Sequence, residues 1–211
     1  MDSLGLEPGM SMKTLEGFLY PDTYHFNKTM TSEDMIHQMV HHANQMWSKA
    51  DQSTAETLGM SRFQIITLAS IIEKETGAPN ERPMISSVFH NRLRKKMKLQ
   101  SDPTTIYGMW DRYRGKIHKS DLQEANPYNT YSVYGLPQGP IGNPGRDAIT
   151  AALNPVNTDF LFFVSHNDGT HEFSRSLDDH NRAVRKFQLD PKAREGKSWR
   201  DLQKKAKTQS H

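Results

Sequence analysis

The chain has no cysteine among its 211 residues, which excludes disulfide bridges, thiolate nucleophiles and cysteine-ligated metals while leaving the compartment open. It also lacks any apolar run near the roughly 18 to 20 residues that a membrane-crossing helix needs. The longest runs are Ile65 to Ile72, interrupted by Thr67 and Ser70, and Phe160 to Val164. No signal-peptide pattern follows Met1, so the expectation is a cytosolic protein or the soluble part of something longer. There is no phosphate-cradling glycine loop, no nucleotide-binding alternation of strands and helices, and no internal repeat. Neither sign of charge dominates: 27 Lys and Arg stand against 24 Asp and Glu, with much of the excess after Lys186. No basic stripe is interleaved with aromatics, which argues against a nucleic-acid binder.

What is present is centred on Ser61 to Gly77, SRFQIITLASIIEKETG. Ser61 followed by Gln64 is a capping box, and Gly77 with Pro79 is a stop signal. At roughly 100° per residue, Leu68, Ile72, Ile65, Ala69 and Ile66 form one apolar arc. Glu73 projects between Ala69 and Ile66, and Glu75 falls at the other edge of the arc, between Ile71 and Leu68. A carboxyl set among aliphatic groups is held protonated, as a general acid must be. The helical wheel does not choose between the two acids, and a buried Glu paired with an Arg for structural reasons fits equally well.

Residues 1–14 read as a loose lead-in, 15–187 as the folded domain and 188–211 as a charged tail. Leu15 to Phe26 alternates aromatic and polar residues around a Pro-Asp turn. A helix is expected from Ser32 to about Ala50, then a turn from Asp51 to Met60, and after the central helix another over Asn80 to Met97. Arg92, Arg94, Lys95, Lys96 and Lys98 read as a solvated cationic helix end. Two loops are rich in groups that bind hydroxyls, Leu99 to Gly108 and the Pro- and Gly-rich Asn126 to Gly145. Arg146 to Leu153 reads as a short helix, Asp159 to Val164 as a strand, Asn167 to Thr170 as a hairpin turn and Leu177 to Phe187 as a final helix. Several helices with a few short strands make an α+β, mainly helical domain.

Seven strings then stand in order: EGFLYPDTYHF at 16–26, ASIIEKET at 69–76, SVFHNRL at 87–93, LQSDPTTIYG at 99–108, YNTYSVYGLPQGPIGNPG at 128–145, AALNP at 151–155 and FLFFVSHNDGTHEFSRSLDDHN at 160–181. Together they resemble the endolytic murein transglycosylase (YceG-like) family. That resemblance implies a lysozyme-like active-site helix and a catalytic domain excised from a protein with an N-terminal membrane helix and a small LysM-like subdomain. It places the native protein in the bacterial cytoplasmic membrane with this domain on the wall-facing side. The implied substrate is the glycan strand of peptidoglycan, the implied partner a peptidoglycan synthase, and no cofactor or metal is called for.

The same resemblance matches the catalytic acid to Glu73. The reaction it implies is non-hydrolytic cleavage of the β-1,4 bond between N-acetylmuramic acid and N-acetylglucosamine, ending in a 1,6-anhydro sugar and terminating strand growth. One carboxyl suffices, as acid toward the glycosidic oxygen and then as base toward the muramic C6 hydroxyl. Candidate glycan-binding residues are Gln100, Ser101, Asp102, Tyr107, Asn129 and Tyr131, with Glu16 and Tyr20 as further candidates. Asp102 and Asn129 are equally suited to capping turns, and Glu75 is expected to be supporting or structural. Competing readings are a metal-dependent hydrolase using His166, Asp168, His171 and His180, and a glycan-binding module without chemistry. The pair His37 and His41, next to His42, reads as surface histidines, and Lys74 lacks the context of a pyridoxal-phosphate site.

Overall fold

The computed structural model describes residues 14–76 and 78–190, so the lead-in to residue 13, the Gly77 stop signal and most of the charged tail lie outside the described residues. The helices are α1 (Ser32–Met46), α2 (Lys49–Thr57), α3 (Arg62–Glu75), α4 (Arg82–Arg94), α5 (Asp102–Gly108), α6 (Lys119–Gln123), α7 (Arg146–Leu153) and α8 (Leu177–Val184). Strands β1 (Phe162–Ser165) and β2 (His171–Ser174) pair antiparallel, Phe163 opposite Phe173, around a turn in which Asn167 and Gly169 take positive φ. The expected α+β, mainly helical architecture is what the chain adopts.

α3 is the centre. Ser61 caps it and Gln64 returns the hydrogen bond to the Ser61 N–H, as the box requires. Every residue from Ile65 to Ile72 is buried, so the helix is wrapped on all sides rather than along one stripe. α7 packs along it and brings Ala148, Ala151 and Ala152 into the same core, and α4 adds Ile85 and Phe89. Phe89 meets Phe163 edge-on at 5.8 Å, which seats the hairpin on α4.

Four expectations are corrected. The expected turn after Asp51 is helix α2, held by a Ser48–Asp51 capping box and by Arg146, which makes two 2.7 Å bonds to the Asp51 carboxylate. The polar stretch after Gln100 is helix α5, with Pro103 in its first turn. Arg92 is buried rather than solvated: it donates to the carbonyls of Leu161 at 2.6 Å and Leu99 at 2.8 Å, tying α4 to β1 and to the loop before α5. The strand starts later than expected, at Phe162, because Asn91 Nδ2 takes the carbonyls of Thr158 and Phe160 before the hairpin ladder begins.

Candidate active site

Two residues along a helix turn the side chain through roughly 200°, so Glu73 and Glu75 leave α3 toward different neighbours. Glu73 faces α4 and the start of α7. Its Oε1 accepts from Arg82 Nη2 at 2.9 Å and its Oε2 from the Gly145 N–H at 3.2 Å, with 30% of the side chain exposed. Both oxygens thus accept hydrogen bonds from neighbouring elements. This carboxylate joins the C-terminal end of α3 to two other helices.

Glu75 faces the loop before α5. Ser101 Oγ donates to its Oε1 at 2.5 Å, and Ser101, itself 2% exposed, is fixed by its own N–H to Thr130 Oγ1 at 2.9 Å. Burial, followed by the Asp102 charge, pushes the Glu75 carboxyl up to about 7, against the pull of the Ser101 hydroxyl and the Arg92 guanidinium. At neutral pH such a group exchanges its proton easily in either direction.

Glu75 lines a cleft of about 410 Å³ together with Arg92, Gln100, Asp102 and Tyr131; the remainder of the lining comes from Leu99, the β1 residues Phe162 and Phe163, and Leu177, His180 and Asn181 of α8. Tyr131 Oη donates to Asp102 Oδ1 at 2.7 Å, and burial first, then that bond, raises the phenol's pKa so that it remains a donor. Gln100 sits at φ 51, a left-handed conformation that a non-glycine residue adopts only when its surroundings enforce it. Its N–H is held by the Thr130 carbonyl at 3.1 Å and its Oε1 accepts from Arg92. A larger groove of about 740 Å³ beside Phe63, Leu93 and Leu136 contains no carboxylate.

Of the residues singled out in the sequence, Gln100, Ser101, Asp102 and Tyr131 gather around Glu75 and not around Glu73. Asn129 is 1% exposed and fully committed: Nδ2 donates to the carbonyls of Asp121, Leu122 and Glu124, and Oδ1 accepts from Thr105 and the Tyr131 N–H. It builds the loop that carries Tyr131 and has no polar atom left for a sugar. Tyr107 packs against Tyr128, centroids 4.7 Å apart, and burial together with the nearby Glu16 charge pushes its hydroxyl up to about 12. Tyr20 is 8% exposed and meets His42 edge-on. Glu16, Tyr20 and Tyr107 are thus apart from the cleft lining. Arg92 and His180 belong to it, although the sequence pattern suggests His180 only as a metal ligand.

The histidines of the hydrolase reading are engaged separately. His166 pairs with Glu172 at 3.1 Å, His171 with Glu81 at 2.8 Å, and His180 stacks on Phe162. His37, His41 and His42 likewise have separate partners in Glu33, Gln45 and Asp22. Among the described residues no three His, Asp or Glu side chains converge as a metal ion would need.

The fold and cleft define a class, a mainly helical α+β domain with one unpaired acid carried on a buried central helix. Within that class the particular family is clear: residues 3–186 match the model of the YceG-like family, and the chain belongs to it. An endolytic murein transglycosylase of Bacillus subtilis (strain 168) is 40% identical over 174 residues, covering 82% of this chain and 48% of its own length. One of Streptococcus pneumoniae serotype 2 is 30% identical over 194 residues, covering 87% of this chain and 34% of its own. The crystal structure of a yceG-like protein of Listeria monocytogenes superimposes with a TM-score of 0.74 at 38% identity, covering 86% of this chain and 58% of that one. The chain therefore spans about half the length, or less, of the curated relatives it matches.

Proposed function

We propose that this chain is the catalytic domain of an endolytic murein transglycosylase; the family resemblance matches its acid to Glu73, whereas the cleft geometry favours Glu75, which we take as acid and base. The names of its relatives support the reaction class. The observation that supports the assignment within the chain is geometric: Glu75 lines the cleft beside Asp102 and Arg92 with Ser101 Oγ on its Oε1, while both Glu73 oxygens accept from Arg82 and Gly145.

The chemistry follows from one carboxyl. Ser101 occupies Glu75 Oε1, so Oε2 is the oxygen that gives its proton to the glycosidic oxygen as the bond to C1 breaks. Positive charge grows on C1 and the ring oxygen, and the Asp102 carboxylate at the rim of the same cleft stabilises it. The muramic C6 hydroxyl attacks C1 and returns its proton to Glu75. The products are a strand with a free 4-hydroxyl and a strand ending in a 1,6-anhydro ring, with no water consumed and the carboxyl restored.

In this reading Tyr131 orients Asp102, and Gln100 presents its side-chain Nε2–H to the sugar. The family resemblance supports a bacterial cytoplasmic-membrane setting, with this domain facing the wall beside a peptidoglycan synthase. No helix among the described residues is long and apolar enough to cross a membrane, so any anchor belongs to sequence outside them.

The test is mass spectrometry of the fragments released from purified peptidoglycan by the chain and by its Glu75→Gln and Glu73→Gln variants. Expected are products about one water lighter than hydrolytic ones, lost with Glu75→Gln and kept with Glu73→Gln. Reducing-end products that depend on Asp102 would replace this reading with a two-carboxylate hydrolase. The opposite dependence on the two glutamates would return the acid role to Glu73.

A further inference from the structure

The part of the cleft lining that comes from β1 and α8 holds a histidine unused by the mechanism above. His180 lies on the first turn of α8, and its ring stacks on Phe162, centroids 5.2 Å apart and planes 24° apart. Its Nδ1 is buried with no hydrogen-bond partner. A buried orphan N–H is rarer in folded proteins than an orphan acceptor, which puts the ring proton on Nε2 of a ring that lines the cleft. Burial, then the Arg92 charge, push the imidazole below its ordinary value, so it is neutral where Glu75 titrates. Glu75, Arg92, Asp102 and Tyr131 are the other titratable groups lining that cleft.

Beside His180, Leu177 keeps 57% of its surface exposed, on the same lining as the rings of Phe162 and Phe163. One fixed neutral donor next to an unpartnered apolar surface matches a group that joins a carbonyl oxygen to a methyl. Resting on the glycan reading, we propose that His180 and Leu177 form an acetamido subsite, with His180 Nε2–H donating to the N-acetyl carbonyl of the bound sugar and Leu177 covering its methyl. The acetamido group is thereby held on the α8 side of the cleft while Glu75 reaches the glycosidic oxygen from α3. The cleft then selects 2-acetamido sugars over their free-amine forms, which lack both carbonyl and methyl.

The experiment measures binding of soluble glycan strands, fully N-acetylated or chemically de-N-acetylated, to the chain bearing Glu75→Gln so that nothing is cleaved. That reference should bind the acetylated strands about tenfold more tightly. Adding His180→Phe, which keeps the stacking but removes the donor, should weaken binding of acetylated strands about five- to tenfold, leave the de-N-acetylated strands unaffected and leave Tm unchanged. Adding His180→Gln, which restores a donor, should recover most of the loss. Equal binding by His180→Phe, an equal loss for both kinds of strand, or no recovery with His180→Gln would overturn the subsite. A reference that binds neither kind of strand would overturn the glycan reading itself, and the subsite with it.

Discussion

The Ser101 hydroxyl donates to Glu75 Oε1 at 2.5 Å across 26 residues of chain, from the N-cap of α5 to the last turn of α3. That bond stabilises the carboxylate and opposes the effect of burial. Ser101→Ala should therefore raise the Glu75 pKa further. The pH profile of strand cleavage, falling on its alkaline side as Glu75 loses its proton near pH 7, should move to higher pH, and cleavage at neutral pH should drop up to about tenfold as the carboxyl loses its fixed orientation. A profile that stays in place would separate Ser101 from the acid.

The same carboxyl makes stability depend on pH. Folded, Glu75 holds its proton up to about 7, against the ordinary 4.5. Between those values the folded chain binds more protons than the unfolded one, so this group's contribution falls as pH rises, by at most about 3 kcal/mol in all. Glu75→Gln can still accept from Ser101 and has no proton to lose. The variant should match the parent at pH 4.5 and below and be more stable at pH 8, as read from urea midpoints. An inactive variant more stable than its parent is the expected signature of a strained active-site acid; equal stability at pH 8 would contradict the burial argument.

α3 was legible in the sequence because its signals are local, a capping box three residues wide followed by a dense aliphatic run. The helical wheel does not choose between the two acids, for a physical reason: Ile65 to Ile72 is buried all round, and a helix without a polar face gives the wheel no reference direction. What separates Glu73 from Glu75 is partners 9, 72 and 26 residues away, Arg82, Gly145 and Ser101. Arg92 looks solvated in the sequence for the same reason, since the carbonyl it holds most closely lies 69 residues on. α2 was missed because its composition is polar and Arg146, which anchors it, is 95 residues away. α5 left a signal that was passed over, a Ser-Asp-Pro opening with proline where a helix tolerates it.

Glu73 should behave as a structural residue. Its partner Arg82 has only 12% of its side chain exposed and an Nε that is buried without a hydrogen bond, so removing the carboxylate leaves a poorly solvated guanidinium. Glu73→Ala should destabilise the chain by about 1 to 3 kcal/mol and retain cleavage within about tenfold at a temperature where the variant is folded. Glu75→Gln should lose about 10²- to 10⁴-fold. Thermal melts and cleavage rates measured on both variants decide this, and a stable but inactive Glu73 variant would count against the division of roles.

Asn129 offers the sharpest test that the loop bearing Tyr131 is built rather than binding. Its Nδ2 satisfies three carbonyls, of Asp121, Leu122 and Glu124, and its Oδ1 accepts the Tyr131 N–H at 3.0 Å. Asn129→Ala leaves those carbonyls with no side-chain donor in a site 1% exposed, a loss of about 2 to 4 kcal/mol. Asn129→Asp should be worse at neutral pH, because a carboxylate supplies no donor to the three carbonyls and is itself buried. If the residue acts through the fold, cleavage and Tm should fall together, and conditions that restore folding, such as lower temperature, should restore much of the activity. A glycan-binding role would show the reverse: unchanged Tm with a raised KM.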